Sequence, residues 1–76
     1  MKFGKTYSRS CKIKNHFAVG FLKDDTTLEI HYRGVKCNIP VENVQENEID
    51  ITPEEFEEKL INVYKETKKQ LKGNKK

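Results

Sequence analysis

Apolar and polar positions alternate with a period of two through the middle of the chain, and the period changes to about 3.6 after residue 52. Phe17, Val19 and Phe21 alternate with Ala18, Gly20 and Leu22; Leu28, Ile30 and Tyr32 alternate with Glu29, His31 and Arg33; Val35, Cys37 and Ile39 alternate with Lys36 and Asn38. This pattern predicts three half-buried strands. The parity of the apolar set changes at Asp24-Asp25 and again at Arg33-Gly34, as two-residue hairpin loops require if one face is to stay continuous. The expected register sets Phe21 against Leu28, Val19 against Ile30, Tyr32 against Val35 and Ile30 against Cys37. A further strand is expected at Thr6 to Lys14, where Tyr7, Cys11 and Ile13 share a parity, and a last one at Glu48 to Ile51. Pro40 ends the fourth strand, and Val41 to Asn47 form a connector.

The helical signal is local and strong. In Ile51-Thr52-Pro53-Glu54-Glu55-Phe56, Thr52 is the N-cap, Pro53 occupies N1 where its missing N–H costs nothing, and Glu55 at N3 completes a capping box. Ile51 and Phe56 have the spacing of a hydrophobic staple. Phe56, Leu60, Val63, Tyr64, Thr67 and Leu71 then follow as one helical stripe, so a helix is expected over about 53–72, with Gly73 as its C′ residue and a disordered tail over 73–76. The fold class is therefore α+β: a single domain, 1–76, in which a small antiparallel sheet of four to five strands, a meander over about 6–51, is covered on one face by a single C-terminal helix.

Composition bounds what such a fold can do. Seventy-six residues, 34% of them hydrophobic and 36% charged, leave a thin core under a highly charged skin. No apolar run approaches the roughly 18 residues of a membrane helix, and Met1-Lys2-Phe3-Gly4-Lys5 lacks the apolar stretch of a secretory signal. No membrane partner is expected, and a cytoplasmic location is. The wealth of Lys, Asn, Ile and Glu beside little Ala matches the habit of AT-rich bacterial or phage genomes, so a phage or mobile-element origin is the expectation from composition.

Enzyme chemistry finds little support. Cys11 and Cys37 are read as free core thiols, since neither belongs to a Cys-x-x-Cys pair. Zinc would need Cys11, His16, His31 and Cys37 around one point, but strand parity sends His31 to solvent and Cys37 to the core; no metal and no cofactor is expected. The same parity separates the Cys37 thiol from the His31 base that nucleophilic catalysis would require. The four glycines are scattered singly, with no phosphate-binding loop, and no small-molecule substrate is expected.

Charge points instead to binding. Residues 1–40 hold eight Lys or Arg against three acids, residues 41–58 hold eight acids and no base, and residues 59–76 hold seven Lys against Glu66. Glu54 to Glu58 followed by Lys65 to Lys72 is the order a helix dipole favours, which explains about half of this sorting. Two patches remain. Lys12, Lys14, His31, Arg33 and Lys36 are expected on the open face of the sheet, as candidate contacts to nucleic acid or a nucleoprotein. That face is expected to lack stacking aromatics, with only Phe3 and Tyr7 free to serve. Glu42, Glu46, Glu48 and Asp50 form a negative edge with no local partner, a candidate contact to a host or defence protein.

Strands followed by a capped helix, with the junction Ile49-Asp50-Ile51-Thr52-Pro53-Glu54-Glu55-Phe56, resemble in topology the single-stranded-DNA-binding transcriptional coactivators over about 20 residues. In that family a curved sheet precedes a helix that dimerises, so the resemblance implies single-strand binding and a helix-mediated homodimer. The leading expectation is a small non-enzymatic binding or regulatory protein that contacts nucleic acid through a basic sheet face. The alternative is an inhibitor or adaptor, such as a phage anti-defence factor, that acts through the acidic edge 42–58. A structural homodimer is the third reading.

Overall fold

Paired residues in the left-handed region set the chain's path. Lys14 and Asn15 (φ 50° and 68°) and Arg33 and Gly34 (φ 53° and 78°) make two tight hairpins, the geometry that matches the natural twist of paired strands and favours Asn and Gly. Around them the computed structural model, which describes residues 1–73 and side chains through Gln70, forms six strands and one helix: β1 Lys2–Gly4, β2 Arg9–Ile13, β3 His16–Asp24, β4 Thr27–Tyr32, β5 Val35–Pro40, β6 Glu48–Asp50 and α1 Pro53–Gly73. Strands β2-β3-β4-β5 form an antiparallel meander, and β1 pairs with β6 in a separate two-stranded ribbon. The α+β class and the single covering helix are as expected. Strand β1 was not, and the 74–76 part of the tail lies outside the described residues.

The helix begins as its sequence dictates. Thr52 Oγ1 accepts from the Glu55 N–H at 3.2 Å, and the Thr52 carbonyl accepts from the Phe56 N–H at 2.9 Å. The Glu55 carboxylate lies 3.8 Å from Lys59, one turn on, rather than closing back on Thr52. Phe56, Leu60 and Tyr64 are buried against the sheet and Val63 is half-buried, with α1 lying against β5. Phe56, Leu60 and Tyr64, the first part of the expected stripe, are thus packed within the chain.

The ribbon completes the inner layer. Ile51 N–H donates to the Met1 carbonyl, Phe3 is opposite Ile49, and the Phe3 ring meets Phe56 at 5.2 Å between centroids. Phe3, expected to be free, is only 1% exposed. Ribbon and helix together roof a core that includes Leu22, Leu28, Ile30, Tyr32, Cys37 and Ile39. The Tyr32 hydroxyl enters this core and donates to the Ile13 carbonyl at 3.0 Å, so burial leaves it satisfied.

Strand β3 departs from expectation. The β4–β5 register is the expected one, with Tyr32 opposite Val35 and Ile30 opposite Cys37. Between β3 and β4, however, Leu22 faces Leu28, Gly20 faces Ile30 and Ala18 faces Tyr32, one residue away from the expected pairing. A register shift between Leu22 and Asp24 causes it; Asp24 then pairs with Thr27, and its carboxylate accepts from the Thr26 N–H at 2.8 Å and hydroxyl at 2.9 Å. Those bonds, the backbone one foremost, hold Asp24 below the usual carboxylate range. Because side chains alternate, one residue of slip turns the whole strand over. Ala18, Gly20 and Leu22 point inward, and Phe17, Val19 and Phe21 point out.

Crowding explains why the small residues go inside. A Cβ on Gly20 would stand 2.0 Å from Ile30 Cδ1 and 3.1 Å from the Glu29 carbonyl, and β1 lies against the same strand. Gly20→Val should therefore destabilise the fold by about 1–3 kcal/mol through overpacking. Val19→Thr on the open face should change stability by less than about 0.5 kcal/mol. Urea unfolding of both variants checks this, and a tolerated Gly20→Val would reject the register.

Candidate nucleic-acid interface

The open face of the meander is built from residues paired across four strands. One row runs Ser10, Val19, His31, Lys36; a second runs Phe21, Glu29, Asn38; a third joins Lys12 to Phe17. Its middle is apolar. Phe17 is 69% exposed and Val19 41%, and Phe21 is half-buried. The Lys12 ammonium sits 5.5 Å from the centre of the Phe17 ring, within cation–π range. His31 Nε2 lies 2.8 Å from Glu29 Oε2, and the Glu29 side chain is only 13% exposed, so the one carboxylate in these rows is tied to an imidazole. The result is an aromatic stripe with Lys12 on one flank and His31 and Lys36 on the other.

Sequence reasoning had placed the cations here and the aromatics in the core. Three of the five basic candidates, Lys12, His31 and Lys36, do share this face. Lys14 and Arg33 do not, because both occupy tight turns at the end of the sheet and lean toward the helix: Lys14 Nζ is 3.8 Å from Glu57 Oε2, and the Arg33 guanidinium lies 5.7 Å from the centre of the Tyr64 ring. The aromatic stripe is what sequence reasoning missed. The signal that could have found it was Gly20, since a glycine within a strand marks a close approach of other atoms on its own side.

The acidic edge is also rearranged. Glu48 accepts from the Tyr7 hydroxyl at 3.1 Å, and Asp50 accepts from the N-terminal ammonium at 3.1 Å. The expectation of four carboxylates without local partners therefore fails for two of them. Burial and the Glu48 bond both push the Tyr7 pKa up, keeping Tyr7 a neutral donor. Glu46 sits in a tight turn closed by Gln45 and Glu48, and Glu42 borders a cleft of about 500 Å³ floored by Val41, Ile49 and Ile51.

The two thiols do not meet. Cys37 is fully buried and Cys11 half-buried, and burial raises both pKa values, so each is protonated at neutral pH and a poor nucleophile. His31 stands on the open face and Cys37 in the core. Among the described residues no helix is long and apolar enough to cross a membrane. No family model, curated protein or solved structure matches this chain.

Proposed function

We propose that this chain is a non-enzymatic binding protein that holds single-stranded nucleic acid across the open face of its four-stranded sheet. The observation that carries the reading is the 69% exposure of Phe17 on an inner strand, with Lys12 over its ring and Phe21 four residues along. A large exposed aromatic gains by covering its face, and every base offers a flat π surface to cover it. Phe17 and Phe21 lie about 13 Å apart along the strand at ~3.3 Å per residue, enough for a base on each. Lys12 and Lys36 flank the stripe where a phosphate backbone would run. Small sheets that read single strands use this combination of central aromatics and flanking cations.

Binding of a labelled oligothymidylate, followed by fluorescence anisotropy, tests the reading. Affinity should fall linearly on logarithmic axes as salt rises, with a slope of about −0.7 for each phosphate neutralised. Lys12→Glu with Lys36→Glu should remove measurable binding while leaving the thermal unfolding midpoint nearly unchanged, because both side chains are exposed. Binding that survives the double reversal at full strength would refute the proposal.

The cleft beside Glu42 supports a second reading, contact with a basic protein surface. Val41, Ile49 and Ile51 line the cleft together with three carboxylates, Glu42, Asp50 and Glu55, against one cation, Lys59, which lies 3.8 Å from Glu55. Glu42→Lys with Glu55→Lys would abolish such a complex and spare oligonucleotide binding.

A further inference from the structure

Phe17 stands at one end of the sheet, beside the Lys14-Asn15 and Arg33-Gly34 turns. Just past that end, on the helix side, is a cleft of about 310 Å³ walled by Lys14, His16, Arg33 and Lys65 and floored by Tyr64 and Ile61. Among the described residues no carboxylate lines it. Two cations lie over the same ring: Arg33 at 5.7 Å and Lys68 at 5.6 Å from the Tyr64 centroid. The Tyr64 ring packs edge-on against buried Tyr32, 5.1 Å between centroids.

Like charges gathered this closely repel unless an anion lies among them. Among the described residues, Arg33, Lys65 and Lys68 have no carboxylate within ion-pair distance, and Lys14 has only Glu57 at 3.8 Å. The Lys14 and Glu57 side chains are 62% and 46% exposed, a pairing that solvent leaves weak. Two lysines and one arginine facing one space exceed what a singly charged phosphodiester neutralises. They suit a phosphate monoester, which carries nearly two charges at pH 7 and presents three acceptor oxygens.

We infer that this cleft is a seat for a terminal phosphate monoester of the strand that crosses Phe17 and Phe21. The inference rests on the nucleic-acid reading for the molecule that carries the phosphate. Its geometric warrant is that the cleft and the aromatic stripe meet at one end of the sheet, so a strand leaving Phe17 over the sheet end delivers its last phosphate to Arg33, Lys14 and Lys65. The cleft holds the volume of roughly ten waters at ~30 Å³ each, which leaves room for the phosphate with its sugar.

Three oligothymidylates of about eight nucleotides, ending in a 5′-phosphate, a 3′-phosphate or hydroxyls only, distinguish the outcomes by anisotropy at one salt concentration. One phosphorylated form should bind about tenfold more tightly than the hydroxyl form. Arg33→Asn with Lys65→Gln should erase that difference and leave hydroxyl-form affinity within about twofold; Asn tolerates the positive φ at position 33. Equal binding of all three oligonucleotides would overturn the seat and leave the open-face reading standing. If none binds, the open-face reading fails and inorganic phosphate decides the seat by NMR. Saturable amide shifts at Arg33, Gly34 and Lys65 that vanish in the double variant support it, and unmoved amides overturn it.

Discussion

Phe17→Ala should weaken oligothymidylate binding by between about fivefold and about 150-fold, the range that loss of one stacked base spans. The effect should come almost wholly from contact with the base, since the side chain is 69% exposed and contributes little to the core. Phe17→Trp should retain or tighten binding, because a larger π surface on the same strand position stacks at least as well. Phe17→Leu keeps apolar area but not a flat ring, and should fall near the alanine variant. That ordering separates stacking from general hydrophobic contact. If leucine binds as well as tryptophan, the stripe is an apolar patch awaiting a protein and the base-stacking role of Phe17 is wrong. The Lys12 ammonium 5.5 Å from the ring adds a second readout. Lys12→Gln should shallow the salt dependence by about 0.7 in slope while preserving the preference for an aromatic at position 17.

Much of the fold could be read in the amino-acid order, and the part that could not has a physical cause. The start of the helix depends on residues 51–56 alone, so Thr52, Pro53 and Phe56 act as their types require. The β4–β5 register was legible because Arg33-Gly34 is a two-residue turn and the two strands have opposite apolar and polar faces. Strand β3 offered no such contrast, since both of its alternating sets, Phe17-Val19-Phe21 and Ala18-Gly20-Leu22, are apolar. Bulk favoured the first set for the core. What decides the matter lies far away in sequence: the Ile30 side chain fills the space beside Gly20, and β1 settles against the inner side of β3. β1 itself is three residues long, too short to show a period. Phe3 consequently looked free and Phe17 looked buried, and the structure reverses both.

The same reversal fixes the largest expected change in stability, which is at Phe56. Its ring is fully buried, lies 5.2 Å from Phe3 and sits at the first inward turn of α1, so it joins the helix to the β1–β6 ribbon over the meander. Phe56→Ala removes most of that bridge and leaves a cavity that neither the capped helix start nor the ribbon can close without moving. The cost should be about 3–5 kcal/mol. A chain of this length has a total stability of about 4–11 kcal/mol, so the substitution uses up a large part of it. With each kcal/mol worth about 4–8 °C in a domain this small, the unfolding midpoint should fall by at least about 12 °C in a circular-dichroism melt, and where the cost exceeds the total stability the chain should be unfolded at room temperature. Phe17→Ala removes the same side chain from the other face and should move the midpoint by no more than about 4 °C, since surface substitutions of this kind stay within about 0.5 kcal/mol. The two phenylalanines thus form a matched pair, one that holds the fold and has no access to a ligand, and one that is open to a ligand and contributes little to the fold. Equal melting points for the two variants would mean that the ribbon and helix do not share a core with the meander. The inward orientation of Ala18, Gly20 and Leu22 would then have lost its cause, and with it the exposure of the aromatic stripe.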